Sequence, residues 1–398
     1  MNMRVGVTLY VQNYADWDRY EARERGQDAP ALDPATDAKI WQEEIEFGLQ
    51  VEDLGFDSLW TIEHHVTPYT MVTNALQLLT FFAGATSRID LGTMVVVLPW
   101  HHPIRVAEDI IMLQYAMRGR TPFIGFGRGA ARREFRQLGV DMNESRQRFD
   151  EGVEIVKLAL TQEQFSYQGE IYNLRDITVR PRPRDARQLL DNLHFSWGSP
   201  QSAPIGARHG LKPMIIPQKA FEDYHADLEA FGRVRAQIGL PPARPRIHLN
   251  VMCAAAAPQA KELARKYIPQ YVDSAAREYE LGGDHFARIK GYEHYAAQAG
   301  GVPSREVLKQ HMASTYLNNH VWGTPEQCLR KLQTLCDAFH PEEFMLVFRY
   351  GSMPLDVAQS SLRLFAREVL PAMHAIPLQE PISYAGDVSA IQPDTVSN

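Results

Sequence analysis

Eight short β-rich runs alternate with longer amphipathic stretches along this chain, and that rhythm leaves few folds open. The runs read RVGVTLY from Arg4, SLWTIE from Ser58, LGTMVVVL from Leu91, FIGFG from Phe123, HFSWG from His194, PMIIP from Pro213, RIHLNVMCAAA from Arg246 and EFMLVFRY from Glu343. Strands separated by helices pair in parallel through βαβ crossovers. Eight such units favour an α/β fold of the closed (β/α)8 TIM-barrel type over an open doubly wound sheet. The intervening segments carry helical signals. In IWQEEIEFGLQVEDLG, Ile40, Trp41, Ile45, Leu49 and Leu54 recur at helical spacing and Gly55 suits a C-terminal cap. In GTPEQCLRKLQTLCDAF, Thr324 is placed to cap, Pro325 to open the helix and Gln327 to close a capping box.

A length of 398 residues then reads as one barrel with additions. The barrel is expected over residues 1–377, with a hairpin insertion at about 162–184 and a helical insertion at about 258–314, both at the C-terminal face. Long ordered insertions there shape or cover a pocket. Residues 378–398 turn polar and aperiodic, as a tail does.

The formal charge of -7, with basic and acidic residues interleaved, lacks the footprint of a nucleic-acid binder and leaves a small molecule as the natural partner. Cys253, Cys328 and Cys336 have no metal-ligand spacing and fit a reducing compartment. The densest apolar run, MVVVLPW, is far too short to span a bilayer. The expectation is a soluble, cytoplasmic protein with no membrane partner.

The second run ends in WTIEHHVTP, which puts Glu63, His64 and His65 at the strand end where barrels keep their chemistry. The plain alternative is a histidine pair that caps a loop. A metal site built from His64, His65, His101 and His102 is disfavoured, because adjacent strand residues face opposite ways and neither H-x-H nor H-E-x-x-H occurs. No metal is expected.

The fourth run leads into GFGRGAARREF. Its glycines give neither the dinucleotide fingerprint nor a P-loop, yet they let a ligand approach Arg128, whose guanidinium can grip phosphate oxygens in pairs. In DMNESRQRF, Asn143 is a plausible helix cap and Arg146 falls in the first turn. A cation there opposes the helix dipole, a conflict that a bound anion resolves. Solvated arginines in a segment that also holds Arg132, Arg133 and Arg136 are the alternative.

Together GFDSLWTIEHH, GTMVVVLPWHHPIRVAEDI, GFGRGAARREFRQLGVDMNESR and SWGSPQSAPIGARHGL resemble the bacterial luciferase-like flavin-dependent monooxygenases, from Arg4 to about His209, with a looser likeness from VWGTPEQ to VFRY. The resemblance implies FMN at the barrel mouth. It assigns Arg128 and Arg146 to the phosphate, Ser199 and Ser202 to phosphate or ribityl contacts, and Met94 and Val95 to the floor under the isoalloxazine. Gly127, Trp197 and Gly198 would also border the cofactor. Glu63 and His64 match the family's acid and catalytic histidine, with Glu63 orienting His64. Departures are Gly127 where luciferase has a cysteine, Gly198 in place of an acid, and Gln114 and Met117 in a helix end that usually carries an acid and a serine.

The activity implied is that of a two-component monooxygenase. A separate flavin reductase would deliver reduced FMN, O2 would form a C4a-(hydro)peroxyflavin, and a small apolar carbonyl or aromatic substrate would be oxygenated. Residues 258–314 would be the lid, and a homodimer through helices flanking the second and third strands is implied. The rivals are a deazaflavin-dependent oxidoreductase, a metal-dependent barrel hydrolase and a non-catalytic flavin-binding protein. Tyr10, Trp100, Trp197, Trp322 and Phe348 at strand ends suggest an apolar pocket or core.

Overall fold

A computed structural model describes residues 1–295 and 305–384. All eight expected runs are strands: β1 (Arg4–Leu9), β2 (Ser58–Thr61), β3 (Asp90–Val97), β4 (Pro122–Gly127), β7 (Leu193–Ser196), β8 (Lys212–Ile215), β9 (Arg246–Cys253) and β11 (Glu343–Val347). They pair in parallel around the barrel, from β1 through β2, β3, β4, β7 and β8 to β9 and β11, and back to β1. The fold is a closed (β/α)8 TIM barrel.

Two strand pairs add to it. β5 (Phe165–Gln168) and β6 (Asn173–Ile177) form the antiparallel hairpin of the first insertion. The Glu151 carboxylate pins that hairpin by accepting the N–H groups of Glu170, Ile171 and Tyr172. A three-residue strand, β10 (Val321–Gly323), pairs with β9 from Val251 onward, beyond the stretch that β8 reaches.

The barrel interior is filled by unequal side chains. Trp60 lies across it, and the strands on either side supply room: a Cβ on Gly6 would stand 2.8 Å from the Trp60 indole nitrogen, and one on Gly92 would stand 2.3 Å from its ring. Beside Trp60 the fully buried Glu343 carboxylate contacts the Arg246 guanidinium and the Ser58 hydroxyl. Breaking such a buried pair leaves an uncompensated charge, so Glu343→Ala is expected to cost about 3–5 kcal/mol, read as a lower midpoint in a urea melt.

Local signals locate the helices. Thr324 caps helix Pro325–Phe339 and Gln327 completes the capping box. Helix Pro34–Leu49 stops before Gly55, and the chain continues to Gly55 as hydrogen-bonded turns. Helix Ser145–Thr161 begins after Asn143, which sits in a short 3-10 turn capped by Asp141. Asn143 is therefore not its cap, although Arg146 does lie in the first turn. The departure at Gln114 acts as a clamp: its buried amide bonds to Asp185 O, Gln188 Oε1 and Arg184 N.

Of the second insertion, helix Ala257–Glu278 and helix Arg305–Asn319 lie over the barrel mouth; residues 296–304 are outside the described residues. So are residues 385–398. Before them the chain runs back over the barrel, with Leu378 N–H on Met1 O and Arg244 on Gln379 O.

Candidate active site

A cavity of about 620 Å³ opens where the strands end, between Tyr10, Met94–Val95, Gly127–Ala130 and Phe195–Gly198 below and the two insertion helices above. Its two ends differ chemically.

At one end buried Arg128 lines the cavity, and half-buried Arg146 stands behind its wall on Ser202. Arg128 Nη2 donates to Gly291 O at 2.7 Å, and its guanidinium stands 3.9 Å from the Tyr292 ring centroid. Arg146 Nη2 donates to Ser202 Oγ at 3.1 Å, and Ser199 Oγ lies 2.8 Å from the same hydroxyl. The Nη1 atom of each arginine is buried without a hydrogen-bond partner among the described residues. Burial, and then the positive charge of Arg128, push the Arg146 pKa down to about 10. Among the described residues no carboxylate forms an ion pair with either guanidinium, and two desolvated cations so placed are costly unless an anion joins them. Guanidinium N–H groups beside two serine hydroxyls suit a phosphate. The FMN phosphate fits this donor set.

Between the ends, Met94 and Val95 form the floor, joined by a cis peptide where the β3–β4 register shifts. A Cβ on Gly127 would stand 2.5 Å from Val95 Cγ2, so a cysteine there is incompatible with this floor. Trp197 stacks between Phe195 and Phe231 and donates to Asp227 at 2.8 Å. A Cβ on Gly198 would meet Tyr295 Oη at 2.1 Å. Tyr295, from the insertion, fills the space an acidic side chain would need.

The other end holds the histidines, and here the expected pairing differs. Glu63 does not orient His64. Its carboxylate accepts Val97 N–H at 2.8 Å, lies 2.8 Å from His65 Nε2 and contacts His101 Nε2. Burial alone would raise its pKa, but the hydrogen bonds from His101 and His65 win and lower it. His64 instead presents Nδ1 to Glu134, at 3.1 and 3.2 Å from its two oxygens, and Nε2 to Tyr279 Oη at 3.3 Å. The three residues follow the end of β2 at Thr61, where Glu63 and His65, two apart, meet and the adjacent His64 turns to Glu134. Burial pushes the His64 pKa down to about 4, so the imidazole is neutral at pH 7. With Nδ1–H donated to a carboxylate, Nε2 is left as a proton acceptor at the cavity wall.

Tyr10, Tyr69, Tyr271, Tyr279 and Tyr316 wall this end. Tyr69 donates to Tyr271 Oη at 3.2 Å, and the Tyr10 hydroxyl is 3.4 Å from it. Of the four histidines, His65 and His101 meet at Glu63, His64 goes to Glu134, and His102 caps helix Pro103–Ala116. Two groups of metal-ligating residue types therefore come together among the described residues, Glu63–His65–His101 and His64–Glu134–Glu278.

The sequence profile of the luciferase-like monooxygenases matches residues 25–339. The chain belongs to that family. It is 27% identical over 336 residues to the alkanal monooxygenase alpha chain of Photorhabdus luminescens, covering 82% of this chain and 90% of that one. The same fold recurs in the oxygenating constituent of 3,6-diketocamphane monooxygenase from Pseudomonas putida, a type II Baeyer-Villiger monooxygenase solved with FMN. There the TM-score is 0.66 at 20% identity over 95% of this chain and 100% of that one. It recurs too in an F420-dependent secondary alcohol dehydrogenase bound to an F420-acetone adduct, with a TM-score of 0.65 at 16% identity over 93% and 99%. As a luciferase-like monooxygenase the protein is an oxidoreductase. Among the described residues no helix is long and apolar enough to cross a membrane.

Sequence reading had missed Glu134, Tyr279, Tyr292 and Tyr295 as parts of this site. Glu134 was hidden in RREF, an arginine-rich segment that gave no sign of facing a histidine 70 residues away.

Proposed function

We propose that this luciferase-like monooxygenase binds reduced FMN delivered by a separate reductase, and uses O2 to oxygenate a small, largely apolar carbonyl or aromatic substrate. The observation that carries the cofactor assignment is the pair of buried guanidinium Nη1 atoms, on Arg128 and Arg146, that have no hydrogen-bond partner among the described residues. When bound in its reduced form, FMN supplies the electrons that let one oxygen atom enter the substrate and the other leave as water.

The chain's own groups divide the remaining work. Arg128, Arg146, Ser199 and Ser202 hold the phosphate, and Met94 and Val95 support the ring system. Tyr292 locks the phosphate loop from above, donating to Gly129 O at 2.6 Å, with Ser145 Oγ 3.1 Å from the same hydroxyl. Helices Ala257–Glu278 and Arg305–Asn319 exclude water from the mouth, which protects a reactive oxygen species from solvent. His64 Nε2 accepts or returns a proton at the reacting oxygen or the substrate. Three free, buried cysteines fit a reducing cytoplasm.

Titrating the protein with FMN, reduced FMN and a deazaflavin cofactor tests the reading. Preferred binding of reduced FMN, with substrate-dependent oxygen consumption, is expected; preference for the deazaflavin, with no oxygen uptake, would overturn it. The homodimer belongs to the same proposal. Phe81 on helix Ala75–Ala85 and Met112 and Tyr115 on helix Pro103–Ala116 are about half exposed, on the helices that follow β2 and β3. Sedimentation should give a dimer, and Met112→Glu should shift it toward monomer.

A further inference from the structure

Helix Ala257–Glu278 ends on a residue that the flavin chemistry does not need. Tyr267, Tyr271, Ser274, Ala275 and Glu278 form its buried face, so Glu278 is carried at helical spacing to the back of the histidine site. There Glu278 and Glu134 are fully buried, and one ligating atom from each lies within 4.8 Å of the other and of a His64 ring nitrogen.

The donors around this cluster are already committed. Glu278 Oε2 receives the Thr67 hydroxyl, and Arg133 Nη1, 3.5 Å from it, donates to the carbonyl of Arg277. Glu134 accepts His65 N–H at 2.6 Å and faces His64 Nδ1. Glu278 Oε1 is buried and no donor reaches it among the described residues. The charges do not balance either. Among the described residues Arg133 is the one cation in contact, and Glu24 shares it through bonds of 2.9 and 3.0 Å. The other titratable neighbours are spoken for: Glu63 by His65 and His101, and Glu280 by Arg132, while Tyr279 faces His64 Nε2. A buried pair of carboxylates in this position is one proton short.

We propose that Glu134 and Glu278 share a single proton, and that the pair, carrying one negative charge, fixes His64 as the neutral Nδ1–H tautomer, with Nε2 unprotonated and facing Tyr279 Oη. The shared proton provides the missing donor for Glu278 Oε1 and removes the like-charge repulsion together. Glu278 is then a positioning residue that acts through Glu134. Burial and the neighbouring Glu134 charge push the Glu278 pKa up to about 8, and burial raises Glu134 well above the carboxylate range, in the same direction. The catalytic consequence rests on His64 being the base named above; the shared proton does not.

Infrared spectroscopy on the flavin-free protein tests it. A protonated-carboxyl C=O stretch should persist above about pH 6, where an ordinary glutamate, of pKa about 4.3, is ionised. Glu278→Gln should abolish that band, because its amide donates to Glu134 and leaves it an ordinary carboxylate, and Glu134→Gln should abolish it too. Nitrogen-15 spectra of His64 at pH 7 should show a neutral Nδ1–H imidazole. Absence of the band in the unmodified protein, its survival in Glu278→Gln, or an imidazolium at His64 would each overturn the proposal. None of these readouts involves flavin, so their failure would leave the FMN assignment standing, and the reverse.

Discussion

Arg146→Met should weaken FMN binding by roughly 100-fold or more while leaving the flavin-free protein as stable as before, or more so. The two halves of that result have one cause. In the free protein the Arg146 guanidinium is partly desolvated, has no partner for Nη1 among the described residues and sits in the field of Arg128. Methionine keeps the packed stem and removes a charge that the fold alone does not satisfy. Hydrogen bonds to a charged group contribute about 1.5–3 kcal/mol each, and a fork of two lost to a phosphate is worth about 3 kcal/mol or more. Thermal melts separate the terms: saturating FMN should raise the melting temperature of the unmodified protein and hardly move that of the variant. Arg128→Met should lose comparable affinity but also stability, since Arg128 holds Gly291 and packs on Tyr292. A variant at Arg146 that unfolds in the absence of flavin would assign that residue to the scaffold instead.

The arginines were legible because their oddity is local: one lies between glycines after a strand, the other in a helix's first turn, where a cation is out of place. The barrel was legible for a related reason. Strands of a parallel sheet are buried on both faces, so each surfaces in the sequence as a short continuous apolar run. β10 was not, since three residues carry no period. What sequence could not supply was the partner of each site residue. Arg128 is held by Gly291 and Tyr292 across 163 and 164 positions, and Gly198 is explained by Tyr295. The acid that serves His64 was not legible either: just past the end of β2, Glu63 meets His65, and Glu134 reaches His64 from 70 positions away.

That acid sets the largest catalytic effect. His64→Ala should keep FMN affinity, because the phosphate site is at the other end of the cavity, and should lower substrate oxygenation by about 10²–10⁴-fold, the span associated with a lost general base. Oxygen consumption should continue as hydrogen peroxide release, so the ratio of product to oxygen is the measurement that decides. Glu134→Gln should come close to the same loss without removing the imidazole. Its amide can donate to Nδ1, which moves the ring proton to Nε2 and turns the acceptor away from the reaction. The pH dependence follows from the depressed His64 pKa. The base is competent while neutral, so activity should hold as pH falls through 6.5 and disappear only near 4. Stability runs in the same window: the unfolded chain takes up a proton at His64 near pH 6.5 and the folded one near 4, so this group lowers stability progressively as pH falls between those values. An acid limb at the ordinary histidine value, or full coupling in His64→Ala, would move the base to another residue and leave the phosphate site untouched.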